Sequence, residues 1–173
     1  MPADTHPLRD PDTDVLAAVW ELTTDAGTGL DTACTNDDDV AEHLNRAVGD
    51  VRFDVGFLTE QGYLDHGAAV SSSPEISDIR LTRAGLLEVA WAERGGLWDL
   101  DRTKVARAIV AAAGNTPFDS LDAPGVPPRV RTAVLRDFAA RGLIFTTGPH
   151  DGSGTHLVVS HTEALTELAG APQ

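Results

Sequence analysis

Lysine is almost missing from this chain: of 13 basic residues only Lys104 is a lysine, and the other twelve are arginines. Cysteine occurs once, at Cys34. A single thiol excludes an internal disulfide framework and any multi-cysteine metal site. No stretch approaches the ~18 apolar residues of a membrane-spanning helix. The opening "MPADTHPLRDPD" lacks the basic and apolar regions of a secretory leader. These absences predict a cytoplasmic protein with no membrane association. His6, His43, His66, His150, His156 and His161 are scattered, and "GPHDGSG" is not followed by the Gly-Lys-Ser/Thr of a phosphate-cradling loop. No nucleophile, base and orienting group fall together. A non-enzymatic protein with no cofactor and no metal is expected.

Acid is what the chain has in excess. Its 173 residues carry 27 acids, of which 19 are aspartate, for a net charge of -14. Such an aspartate-rich, lysine-poor composition resembles that of halophilic proteins from salt-accumulating archaeal cells; an ordinary acidic protein from a GC-rich genome is the alternative. In dilute buffer the charge argues against nucleic acid. At molar salt the Debye length falls to about 3 Å, and local contacts decide instead. The excess is lopsided: residues 1–95 hold 6 arginines and 19 acids, while residues 96–173 hold 7 basic residues and 8 acids.

A pattern occurs twice. "FLTEQGYLDH" precedes "DIRLTRAGLLEVA", and "DFAARGLIFTT" precedes "THLVVSHTEALTELAG". Gly62 and Gly142 lie 80 residues apart, and the strand-to-helix junctions are placed at Thr82 and Ser160, 78 apart. Each copy reads as helix, glycine, strand, hairpin gap, strand, helix. The expected fold is α+β: two tandem winged helix-turn-helix domains, each mostly helical with a small antiparallel wing. The expected division is a flexible leader over 1–11, a first acidic domain over 12–95 and a second over 96–173, with "RGGLWDLD" (94–101) between them.

Helices are predicted from Asp12 or Asp14 to about Thr24, from Asn36 or Asp37 through Val48, from Gly49 to Gln61, and from Asp101 to Gly114. "PGVPP" then opens a helix that runs to Arg141, because a proline suits the first helical turn. A wheel over 129–141 places Val130, Val134 and Phe138 on the core side. Arg129, Thr132, Ala133, Arg136 and Ala140 fall on the other, with Arg131 near the boundary. This is a candidate DNA-reading face, and Lys104 and Arg107 in the preceding helix are candidate phosphate contacts. Surface ion pairs or a protein partner are the other uses of the same arginines. In the first copy Val51, Val55 and Leu58 mark the core side. Phe53 and Phe57 fall elsewhere and are candidate interaction residues, for a homodimer, for burial against the other domain or for local packing.

Residues Leu58, Gly62, Tyr63, Leu64, Leu81, Thr82 and Gly85 resemble the pattern of haloarchaeal winged helix-turn-helix transcriptional regulators. That resemblance implies a recognition helix in the major groove of double-stranded DNA, given to Arg129, Thr132 and Arg136. It places His150, or the backbone near Gly152, on the phosphates. The second copy, "ARAIVAAAGNTPFDSLDAPGV…VLRDFAARGLIFTTG", is also similar to the segregation and condensation protein B family. This second resemblance implies a protein-interaction adaptor, dimeric through its first domain, whose second domain clasps the kleisin of an SMC-kleisin complex.

Overall fold

The computed structural model describes residues 8–25, 27, 29–30, 34–67, 75–112, 114–148 and 156–170. The chain is α+β, with helices and small antiparallel sheets. It divides into two compact units. The first is Met1–Thr23 with Ala33–Val89, and the second is Thr24–Thr32 with Ala90–Gln173. The division falls inside a helix, not at 94–101, and residues 24–32 belong to the second unit although they lie between helices of the first.

In unit 1, α1 (Asp10–Thr23) begins within the segment expected to be a leader. Asp12 accepts the Arg9 backbone N–H at 3.0 Å, so a third-position carboxylate satisfies the residue before the helix. Val15, Leu16, Val19 and Trp20 are buried from α1. Next, α2 (Asp37–Leu44) is capped by Asn36, whose side chain accepts the Asp39 N–H at 2.7 Å. Asn45 ends it in the left-handed conformation, four residues short of the expected Val48. Helix α3 (Val48–Glu60) buries Val51, Val55 and Leu58 as its wheel predicted. Strands β1 (Leu64–Asp65) and β2 (Arg80–Leu81) pair antiparallel, and an isolated bridge joins Thr35 to Ile79. Helix α4 (Arg83–Arg94) follows.

A single 3-10 turn, Gly95–Leu97, runs straight into α5 (Trp98–Ala111), so the stretch expected to be the boundary, 94–101, is helical. Unit 2 continues with β3 (Thr116–Pro117), a second 3-10 turn at Phe118–Ser120, and α6 (Pro128–Ala140). It closes with β4 (Ile144–Thr147), β5 (Leu157–His161) and α7 (Glu163–Gly170). The sheet order is β3-β5-β4, antiparallel, with a bulge between Phe145 and Thr146. Val105, Ile109, Phe118, Val130, Val134, Leu135, Phe138, Ile144, Val158 and Leu165 form its core.

The repeat is real in backbone detail. Gly62 and Gly142 have φ +78° and +68°. After α3, Gly62 N–H donates to the Thr59 carbonyl and Tyr63 N–H to the Leu58 carbonyl. After α6, Gly142 N–H donates to the Ala139 carbonyl and Leu143 N–H to the Phe138 carbonyl. Both ends are therefore Schellman caps, which need a residue in the left-handed region. The pairing Leu64 with Leu81 is matched by Ile144 with His161. The partner of Thr82 is consequently Thr162, 80 residues on, and not Ser160.

Candidate recognition surfaces

Helix α6 holds most of the residues expected to read DNA. Pro128 occupies its first turn, where a missing N–H costs nothing. Val130, Val134, Leu135 and Phe138 face the core, and Thr132 and Ala133 are buried as well, at 2% and 0% exposure. The expectation that Thr132 and Ala133 line an open outer face is therefore corrected. The helix is enclosed on more than its apolar stripe, and the wheel alone does not reveal a second cover.

Two arginines of α6, Arg129 and Arg131, point back onto their own unit. Arg131 donates to the Leu121 carbonyl at 3.0 Å. Burial pushes its guanidinium below the ordinary value, against the opposite pull of Asp119 and Asp122. Arg129 Nη2 approaches the Thr24 carbonyl at 3.4 Å, so part of its cover is the stretch between α1 and α2. Arg136 is half-buried and has an interaction of its own. Arg141 pairs with the buried Asp137 at 2.9 Å, one turn back.

Helix α5 repeats this economy. Arg107 Nε donates to the Ala169 carbonyl at 2.7 Å, which satisfies the last turn of α7 and places a cation at its negative end. Arg102 pairs with Asp99 at 3.5 Å and lies 5.9 Å from the Phe138 ring centre. Lys104 is half-buried. Arg94, at the end of α4, is paired with the buried Asp101, and this hydrogen bond raises its pKa. His150 and Gly152 lie outside the described residues.

The surface of unit 1 differs. Phe53 stands 69% exposed on α3. Phe57 packs against the unit's core, with the Arg9 guanidinium 5.4 Å from its ring centre. The two phenylalanines therefore separate, one local and one outward. Beneath them lies an ion-pair network. Arg46 donates to Asp54 at 2.6 Å, and Arg9 bridges Asp54 at 3.1 Å and Asp12 at 2.7 Å. Arg52 pairs with Asp37 at 2.6 Å, joining α3 to the start of α2. Sequence reading did not single out this network, because partners up to 45 residues apart carry no local signal.

Among the described residues, no group of three or more His, Cys, Asp or Glu is placed to hold a metal ion. No helix among them is long and apolar enough to cross a membrane. Cys34 is a free, half-buried thiol. Neither a protein-family model, nor a curated protein, nor a solved structure matches the chain.

Proposed function

We propose that this chain is a non-enzymatic protein-interaction adaptor, built of two winged-helix units and acting beside a kleisin in chromosome segregation. Each unit runs helix, short strand or bridge, helix or 3-10 turn, helix and two-stranded hairpin, the winged-helix order. In that order α3 and α6 stand where a groove-reading helix would stand. The observation that carries the reading is the inward use of two α6 cations. Arg129 and Arg131 donate to backbone carbonyls of their own unit, and Thr132 is buried. A groove reader needs those donors free for phosphates and base edges. Helix α3 offers Phe53 instead, and in this reading Phe53 serves self-association of unit 1 while unit 2 takes the partner.

Apolar contact suits molar salt, where charge steering is screened but apolar burial still counts. The test uses the full chain in molar KCl, the kleisin encoded by the same genome, and a Phe53→Ser variant. Wild type should sediment as a dimer and retain the kleisin on a column. Phe53→Ser should sediment as a monomer with an unchanged far-ultraviolet circular dichroism spectrum. A monomeric wild type that retains no kleisin sinks the proposal.

A DNA-binding regulator is the second reading, favoured by one observation. Residues 96–173 are nearly charge-balanced, with Lys104 and Arg136 only half-buried. Duplex retardation at molar KCl that is lost in Arg136→Glu would replace the adaptor reading with this one.

A further inference from the structure

The first turn of α6 is covered by the chain's own strap, the residues that follow α1. Thr24 is buried, Gly29 is buried, and Leu30 packs half-buried against the unit 2 core. Two backbone hydrogen bonds tie its described residues together. Gly29 N–H donates to the Asp25 carbonyl at 2.7 Å, and Asp25 N–H to the Leu30 carbonyl at 2.9 Å. Gly29 has φ +74°, and a Cβ there would lie 2.2 Å from the Pro128 carbonyl oxygen and 2.8 Å from the Arg129 nitrogen. Only glycine fits against this turn of α6.

The occupant fits imperfectly. Arg129 Nε and Thr132 Oγ1, one turn apart on α6, are buried without a hydrogen-bond partner, and so is Thr24 Oγ1 of the strap. A buried polar group left without a partner destabilises the fold. A ligand that keeps the glycine and leucine but offers acceptors to Arg129 and Thr132 would remove that cost, and displacement would return Thr24 to water.

We propose that the first turn of α6 is a peptide-binding seat, plugged in the resting chain by the strap. Its ligand is a protein segment with Gly-Leu in the places of Gly29 and Leu30 and a carboxylate or amide acceptor beside them. The plug lowers the apparent affinity for an outside segment, because a tethered competitor acts at about millimolar effective concentration. This inference rests on the adaptor reading for the claim that the partner is a protein.

The experiment titrates a fluorescent peptide of sequence TDAGTGL into the full chain, with a TDAGTVL peptide as control. The Gly29→Val chain, whose own strap cannot seat, should bind TDAGTGL at least tenfold more tightly than wild type does. The TDAGTVL peptide should bind neither. Absence of TDAGTGL binding to a folded Gly29→Val chain overturns the proposal. If Gly29→Val does not fold, Leu30→Ala is read by the same criterion. Retention of duplex DNA instead of peptide by the unplugged chain also overturns it. The titration contains no kleisin, so kleisin capture and peptide binding can fail separately.

Discussion

Thr82 and Thr162 make the same two contacts 80 residues apart. Thr82 donates its N–H to the Tyr63 carbonyl at 3.0 Å and its hydroxyl to the same oxygen at 3.1 Å. Thr162 donates its N–H and hydroxyl to the Leu143 carbonyl at 3.0 and 3.2 Å. Each threonine ties the end of a β-strand to the chain just past a left-handed glycine. Replacing either with valine keeps the shape and loses the hydroxyl bond. Thr82→Val and Thr162→Val should each cost about 1 kcal/mol in urea unfolding. The Thr82 variant should lose the more, since its hydroxyl also reaches the Gly62 carbonyl at 2.6 Å and accepts the Gly85 N–H.

Three glycines separate two kinds of constraint. Gly62 and Gly142 have positive φ and open space where a Cβ would stand. Alanine at either place should cost about 1–2 kcal/mol, from backbone conformation alone. At Gly85 a Cβ would sit 2.1 Å from the Tyr63 carbonyl oxygen. Gly85→Ala should therefore cost about 2–3 kcal/mol and disturb the start of α4. Thermal melts of the three variants in molar KCl check the order.

Removing the Asp54 carboxylate should weaken unit 1 more than removing any exposed aspartate. Asp54 is nearly buried between Arg46 and Arg9. Those arginines are 27% and 54% exposed in their side chains and turn to solvent when unpaired. Asp54→Asn should cost about 1–2 kcal/mol, below the ~3–5 kcal/mol of a fully buried broken pair. Asp38→Asn, on the exposed start of α2, should fall within about 0.5 kcal/mol of wild type. Chemical denaturation compares the two.

Acid should unfold unit 1 through Asp12. Burial alone would raise its pKa, but hydrogen bonds from the Arg9 side chain and backbone outweigh burial and hold it below the ordinary value. A carboxyl depressed on folding stabilises above its unfolded pKa of about 4 and loses that stability as pH falls through the lower folded value. The Tm of wild type should therefore drop below about pH 4. Asp12→Asn should start lower at pH 7 and show a shallower drop, as read by far-ultraviolet circular dichroism melts.

What was legible in the sequence follows from what is local. Periodic apolar residues placed the cores of α3 and α6, and the glycines at 62 and 142 marked their ends, because caps are written within a few residues. The junction at Ser160 was misplaced because "LTRAG" has no literal counterpart. His161 and Thr162 take the places of Leu81 and Thr82, and Leu165, a buried core residue, stands where Gly85 does. The outward face expected of α6 was misread for a different reason. Its cover comes partly from Thr24 and Gly29, a hundred residues upstream, and distance in sequence hides such packing from a helical wheel.

The strap has a consequence for cutting this protein apart. Unit 2 is not a continuous stretch of the gene, because Thr24–Thr32 is encoded inside unit 1. Expression of residues 90–173 alone would yield a fragment with a bare first turn on α6 and no Leu30 against its core. Such a fragment would report the properties of an opened surface, not those of the parent. Conversely, a fusion that lends it residues 24–30 would be expected to restore the parent's melting behaviour. The smallest heritable piece of unit 2 is thus a split one, and recombination at the visible sequence boundary would separate a part from its seat.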